Sequence, residues 1–280
     1  MGSTTTLGEA LREAIQRLAG NSPSPRVDAE ILFCHALQCS TVRLRLDTEQ
    51  TVDTATRQRL EHLITRRMAG EPVAYLIGER GFWTLDLGVD QRALIPRPET
   101  ELLVERAMHL LECPSARVAD LGTGTGAIAL ALASERPGWQ ITAVERDPDT
   151  LALARRNGIR LQLGVDWREG DWLKPLAGER MDLIVSNPPY IAEDDIHLQQ
   201  GDLRFEPRHA LAAGPDGLDA LRIIIRDGPR HLRASGWLLL EHGYDQQDAV
   251  QDLMRRQGFQ DITTHQDLAG QPRVTEGRIE

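Results

Sequence analysis

Asp120-Leu121-Gly122-Thr123-Gly124-Thr125-Gly126 stands between an apolar run, Val118 to Leu121, and an apolar stretch that opens at Ala127. Three glycines in five residues let a backbone turn tightly and approach a ligand where a Cβ would collide, so the segment predicts a strand, a ligand-binding turn and a helix in succession. Beyond it, strand-like and helix-like patterns alternate. Ile141 to Val144 reads as strand, Pro148 opens a helix, and Leu161 to Val165 and Leu183 to Val185 read as strands. Leu218 to Leu232 reads as helix, Trp237 to Leu240 as strand and Ala249 to Gln257 as helix. Such alternation predicts an α/β fold in which a mostly parallel sheet is wrapped by helices.

The stretch before this pattern has a different period. Leu7, Ala10, Leu11, Ala14, Ile15 and Leu18 repeat at helical spacing behind a candidate capping box, Thr6 to Glu9. Ser24-Pro25 opens a second helix through Ile31, Leu32 and Leu37, with proline at the first helical position. A third runs from near Asp53 to Met68 and stops at Gly70-Glu71-Pro72. A small helical bundle is expected there. From Tyr75 to Leu94, Gly78, Gly81 and Gly88 punctuate short apolar runs and predict paired strands that act as a connector. Pro96-Arg97-Pro98 breaks the chain, and a new helix is expected after Glu99.

Length and composition narrow the class. A chain of 280 residues with 41% hydrophobic and 26% charged residues is expected to be an ordinary globular protein of one large or two smaller domains. No apolar run approaches the roughly 20 residues of a spanning helix, and Met1 to Gly8 lacks the features of a signal peptide, so a cytoplasmic protein away from membranes is expected. Cys34, Cys39 and Cys113 have neither disulfide nor zinc spacing, and His197, His209 and His242 have no ligand spacing, so no metal is expected. The net charge of -10 lies wholly beyond Tyr75, because the stretch through Tyr75 holds nine basic and nine acidic residues. A chemical domain this acidic argues against extended nucleic-acid binding.

Gly122-x-Gly124-x-x-Ala127 also satisfies the dinucleotide fingerprint, and Glu145 follows about 20 residues later, at a strand end where an acid could hold ribose hydroxyls. At this point NAD remains open, as do a plain strand-to-helix turn and a surface role for Glu145. Asp120 could accept from a cofactor amino group or brace the turn.

A second motif, Asn187-Pro188-Pro189-Tyr190, follows the apolar strand Leu183 to Val185 at the same sheet edge. Consecutive prolines fix φ and remove two N–H groups, leaving carbonyls that only accept. The Asn187 oxygen and the Pro188 carbonyl could each take one N–H of a planar NH2 group, aiming its lone pair at an electrophile and stabilising the charge that develops on nitrogen. Tyr190 would stack on that planar group. A turn chosen for its local chemistry is the plainer alternative.

Together the two motifs resemble the amino-methylating, S-adenosylmethionine-dependent methyltransferases. Leu94-Ile95-Pro96-Arg97-Pro98-Glu99-Thr100-Glu101, Asp120 to Gly126, Ser186 to Ile191, and Arg204-Phe205-Glu206-Pro207 through Leu211 resemble, more closely, the peptide chain release factor glutamine methyltransferases (PrmC/HemK). The resemblance implies an N-terminal helical bundle over 1–74 for substrate recognition, a β-hairpin linker over 75–95 and a Rossmann-like methyltransferase domain over 96–280. It implies methyl transfer from S-adenosyl-L-methionine to the glutamine of the Gly-Gly-Gln motif of release factors, leaving S-adenosyl-L-homocysteine. Asp120, Gly122, Thr123, Gly124, Thr125, Gly126, Glu145, Trp172 and Asn187 would bind the cofactor. Asn187, Pro188, Pro189 and Tyr190 would bind the substrate, with Asn187, Pro188 and Tyr190 catalytic. Glu145 stands where many members have Asp, a change that still chelates a diol.

Arg97 could hold the cofactor carboxylate or merely turn the linker, and Trp167 and Trp172 could equally be core residues. Three other readings compete: a methyltransferase for adenine or cytosine amino groups of nucleic acid, an NAD-dependent oxidoreductase that leaves the second motif without a task, and a non-catalytic cofactor-sensing protein.

Overall fold

The helices of the first part begin where the capping residues stand. In the computed structural model, which describes residues 5–280, the Thr6 hydroxyl accepts the Glu9 N–H and the Glu9 carboxylate accepts the Thr6 N–H, opening α1 (Leu7–Leu18). Proline at the start of α2 (Pro25–Leu37) removes one of the N–H groups that would have no partner within the helix. Ser40 caps α3 (Thr41–Leu46) and Asp53 caps α4 (Thr54–Met68). α3 had no counterpart in the sequence reading, because six residues are too few to show a helical period. Pro72 and the left-handed Gly78 (φ 74°) bound a further short helix, α5 (Val73–Ile77). Tyr75 therefore lies in a helix, and the paired strands expected from Tyr75 to Leu94 are confined to β1 (Glu79–Phe82) and β2 (Leu85–Gly88).

The chain divides into two compact units, one made of the chain up to Glu79 together with Gly201–Phe205, the other of Arg80–Gln200 with Glu206–Glu280. In the first, Leu18, Leu32, Phe33, Leu44 and Ile64 form the apolar centre. At its edge Arg67 is buried against Asp28 at 2.7 Å and also donates to Asp202 at 3.0 Å, so the buried charge is neutralised and hydrogen-bonded.

In the second unit, α6 (Glu101–Leu110), β3 (Arg117–Leu121), α7 (Ala127–Glu135), β4 (Gln140–Glu145) and α8 (Pro148–Leu161) follow the expected alternation. Leu161 to Val165 is not a strand. α8 runs to Leu161, Gln162 takes a left-handed conformation, and the Leu163 N–H closes back on the Gly158 carbonyl. The strand is β5 (Asp166–Glu169). Leu161, Leu163 and Val165 pack on the core as a helix end, which accounts for their apolar alternation. β6 (Met181–Ser186) comes next. α9 (Asp219–Asp227) stops before Gly228-Pro229, so the helix expected to reach Leu232 is shorter, and Leu232 opens β7 (Leu232–Glu241). α10 (Gln247–Arg256), β8 (Gln260–Gln266) and β9 (Pro272–Arg278) complete the unit.

Strand order is β5-β4-β3-β6-β7-β9-β8, with every pairing from β5 to β7 parallel and the β9 pairings antiparallel. From β3 the chain winds outward to β4 and β5, then returns to the other side of β3 as β6. Ligands in such sheets bind beyond the carboxyl ends of the strands at that reversal. Here it brings Leu121 opposite Ser186, whose hydroxyl donates to the Leu121 carbonyl at 2.6 Å. The glycine loop and Asn187 thus leave adjacent strands from the same level.

Candidate active site

At this reversal lies a cavity of about 330 Å³, inside the range of roughly 300–1,000 Å³ usual for small-molecule sites. Gly122, Thr123, Gly124, Thr125, Glu145, Trp172, Asn187 and Pro189 line it. Asp120, Gly126, Pro188 and Tyr190 are not among the residues that line it.

The loop owes its shape to its glycines. Gly122, Gly124 and Gly126 have φ of 68°, 57° and 86°, a region that costs other residues about 1–2 kcal/mol each. Space adds a second demand. A Cβ on Gly126 would sit 3.0 Å from the Trp167 ring, and one on Gly122 would sit 3.2 Å from the Trp172 ring. The two tryptophans therefore separate: Trp167 packs in the core against Gly126 and Gly158, whereas Trp172 faces the cavity beside Gly122. A Cβ on Gly124 would meet nothing, since it faces open space.

Glu145 is buried at the end of β4 and is held from the backbone. One carboxylate oxygen accepts the Gly124 N–H at 3.1 Å; the other accepts the N–H groups of Arg146 and Asp147 at 2.9 and 3.1 Å. These bonds fix an acceptor at the cavity wall.

Asp120 braces the turn. Its Oδ2 accepts the Thr123 hydroxyl at 2.6 Å and the Ala129 N–H at 3.2 Å, while its buried Oδ1 has no partner. Burial pushes its carboxyl up to about 7, the two donors and the Glu145 charge being smaller influences. A folded pKa above the unfolded value means that the neutral acid is favoured in the fold. Its stabilisation is complete below the ordinary Asp range and is lost as pH rises to about 7. At about 1.4 kcal/mol per pKa unit the loss is a few kcal/mol. Asp120→Asn, which mimics the neutral acid, is expected to raise the thermal midpoint at pH near 8 and to change it little near pH 4. Equal midpoint changes at both pH values would show that no charge penalty exists.

Asn187 leaves β6 with its Nδ2 donating to the Thr100 hydroxyl at 2.9 Å, and this fixes which end of the amide carries the acceptor. The Ile191 N–H donates to the Leu211 carbonyl and the Ala213 N–H to the Ile191 carbonyl, both at 2.9 Å. The Gln246 side chain donates to the Tyr190 carbonyl, also at 2.9 Å. Tyr190 differs from its expected stacking role. Its ring packs against the apolar cluster around Leu218 and Ile224, and its hydroxyl donates to Glu241 at 3.3 Å.

Arg97 lines the cavity but is ion-paired to the buried Glu206, which also accepts the Ile95 N–H at 3.0 Å. The Pro96-Arg97-Pro98 corner is thereby tied to Glu206-Pro207. Sequence reasoning missed Thr100, which lines the cavity, and Glu241, which accepts the Tyr190 hydroxyl. A signal existed for Glu241, an acid directly after a buried apolar strand, the same position that singled out Glu145.

A parallel sheet with this reversal, a glycine loop over a strand-end acid and an Asn-Pro-Pro-Tyr segment on the adjacent strand define a Rossmann-like methyltransferase domain. Residues 98–204 match the methyltransferase small domain, and residues 9–78 match the PrmC N-terminal domain. The chain is 53% identical over 255 residues to the release factor glutamine methyltransferase of Xylella fastidiosa strain Temecula1, covering 90% of this chain and 93% of that protein. It is 48% identical to the release factor glutamine methyltransferase of Escherichia coli K12, covering 96% and 97% respectively. The chain belongs to the release factor glutamine methyltransferase family. A methyltransferase structure from Pyrococcus furiosus shares the fold, with a TM-score of 0.54, 17% identity, and coverage of 80% of this chain and 98% of that one.

Among the described residues, no helix is long and apolar enough to cross a membrane, and no group of three or more His, Cys, Asp and Glu residues could hold a metal ion.

Proposed function

We propose that this chain methylates the side-chain amide nitrogen of the glutamine in the Gly-Gly-Gln motif of peptide chain release factors, with S-adenosyl-L-methionine as methyl donor, in the cytoplasm. The observation that carries this reading is that one cavity joins a backbone-anchored Glu145 and a glycine turn to the Asn187 amide, whose orientation Thr100 sets.

The residues present fit the donor. The loop from Gly122 to Thr125 offers close backbone approach, Glu145 offers acceptors for a ribose diol, Trp172 offers an aromatic face for adenine, and the cavity has the volume of a small-molecule site. When bound, S-adenosyl-L-methionine supplies an electrophilic methyl group. The chain's residues have to make a poor nucleophile react. The Asn187 oxygen and the Pro188 carbonyl accept the two N–H groups of the glutamine amide, which aims the nitrogen lone pair away from them. The same acceptors stabilise positive charge as it develops on nitrogen. Pro189 lines the pocket, and Tyr190 holds the segment from behind. The surplus proton passes to water after transfer, so no side chain needs to act as a base.

We also assign release-factor recognition to the helical bundle of residues 1–74, since the amide clamp would accept any planar NH2 group. Residues 75–95 are the linker and 96–280 the catalytic domain. Methylation of nucleic-acid amino groups is not favoured, given the family and the charge of -10.

The direct test is to incubate unmethylated release factor with the protein and methyl-labelled S-adenosyl-L-methionine, then locate the label by peptide mass spectrometry. Label on the Gly-Gly-Gln glutamine is expected; label found only in RNA or DNA would overturn the reading. Glu145→Ala is expected to weaken donor binding by about 100-fold or more, because its hydrogen bonds to charged oxygen are worth about 1.5–3 kcal/mol each. Calorimetric titration of the donor checks this, and unchanged affinity would remove Glu145 from the donor site.

A further inference from the structure

Glycines make the turn after β3 possible and also leave it slack. Gly122, Gly124 and Gly126 take left-handed conformations without strain, but glycine gives up more conformational freedom than any other residue when it is ordered. A loop of this kind binds a ligand well only when other groups hold it in the bound shape beforehand. Two such holds act on its first half: Glu145 accepts the Gly124 N–H at 3.1 Å, and Asp120 accepts the Thr123 hydroxyl at 2.6 Å.

The second half is held from elsewhere. Thr125 lies between two of the glycines and lines the cavity, and its carbonyl accepts Asn157 Nδ2 at 2.9 Å. Asn157 stands on α8, is 2% exposed and is not among the residues that line the cavity. The same side chain grips Gly88 at the end of β2: Nδ2 donates to the Gly88 carbonyl at 3.0 Å, and Oδ1 accepts the Gly88 N–H at 2.8 Å. Carbonyls only accept and an N–H only donates, so these three bonds fix which end of the amide faces which neighbour. Asparagine is a weak helix former, and its burial costs stability unless its polar atoms are paired. Here the pairs run to the loop and to the hairpin instead of to its own helix. Beyond Gly88, Arg92, Ala93 and Leu94 line the cavity, and the Arg92 carbonyl accepts the Thr150 hydroxyl, also from α8, at 2.6 Å.

We propose that Asn157 is a positioning residue for the methyl donor: it presets the Thr125 half of the glycine loop and ties the shape of that loop to the β1–β2 hairpin. The segment between the bundle and the catalytic domain is then part of what the donor site is built on, not only a connector. This rests on the reading that the cavity takes S-adenosyl-L-methionine. The effect falls on donor binding and not on transfer from a filled site, because the Asn187 segment is held separately, by β6 and by Thr100.

The test uses the full chain. S-adenosyl-L-methionine is titrated calorimetrically, and kcat and the KM of each substrate are measured with unmethylated release factor. Asn157→Asp keeps the shape and the acceptor for the Gly88 N–H, but sets a second oxygen against the Gly88 and Thr125 carbonyls. It is expected to weaken donor affinity by about 10- to 100-fold, the equivalent of a buried carbonyl left without its donor. Donor KM should rise with it, while kcat at saturating donor and the KM of the release factor stay within about threefold. A lowered thermal midpoint with unchanged donor affinity would make Asn157 a purely structural residue and overturn the proposal. A fall in kcat at saturating donor with unchanged affinity would overturn it too. Should Asn157→Asp fail to fold, Asn157→Ser, whose side chain is too short to span Gly88 and Thr125, is judged by the same readouts. A wild-type chain that does not bind S-adenosyl-L-methionine defeats the underlying reading and this proposal with it. Wild-type binding that persists unchanged in the folded variant defeats the proposal alone.

Discussion

Asn187→Ala is expected to lower the turnover of methyl transfer by about 100- to 1,000-fold, the scale seen when one preorganised polar group facing developing charge is removed. On the proposed reading alanine deletes the acceptor for one N–H of the substrate amide, and it leaves Thr100 without the donor it now receives at 2.9 Å. The glycine turn is untouched, because its shape comes from the left-handed conformations at Gly122, Gly124 and Gly126 and from Glu145. Donor binding should therefore weaken far less than turnover. Steady-state kinetics with labelled methyl donor, set beside calorimetric donor affinity, separates the two. Equal losses in both would place Asn187 mainly in the donor site.

Gly217→Ala should be nearly as damaging, although this glycine belongs to neither motif. Its φ is 73°, and a Cβ there would lie 2.2 Å from the Tyr190 carbonyl oxygen and 2.9 Å from the Gln246 side chain that bonds it. Backbone cannot yield as a flexible side chain can, so the Asn187-to-Tyr190 segment must shift. A displacement of this order is expected to cost about 100-fold in turnover. The left-handed strain and overpacking together cost about 2–5 kcal/mol of stability. Gly258→Ala separates the two effects. With φ 84° and nothing within 4 Å of its Cβ, it carries the strain without the collision. It should lower the thermal midpoint and leave turnover intact. If Gly217→Ala behaves the same way, the contact with Tyr190 has no bearing on the clamp.

Much of the fold was legible because it rests on local chemistry. Thr6 and Glu9 form a capping box wherever they stand three apart at a helix start, and Pro25 at a first helical position needs no tertiary support. Apolar spacing misleads at Leu161 to Val165, which alternates because a helix end folds onto the core. β8, Gln-Asp-Ile-Thr-Thr-His-Gln at the sheet edge, is too polar to stand out as a strand. Within the site, the glycine loop, Glu145 and the Asn187 segment could be read from residue type and order. Thr100, Gly217 and the tie between Arg97 and Glu206 could not.

The sequence by itself determined the pieces: a turn only glycines can make, an acid at the end of a strand, and an acceptor segment stiffened by two prolines. Tertiary structure decided which pieces meet. β6 returns beside β3, which sets Ser186 opposite Leu121 and brings Asn187 beside the glycine loop. It also decided that Asn187 donates to a threonine 87 residues away and that Tyr190 turns to an acid 51 residues away. The physical reason is one of range. Capping, φ preference and proline geometry act over a few residues, whereas the partner of a buried polar group is chosen by strand order and by where each loop returns.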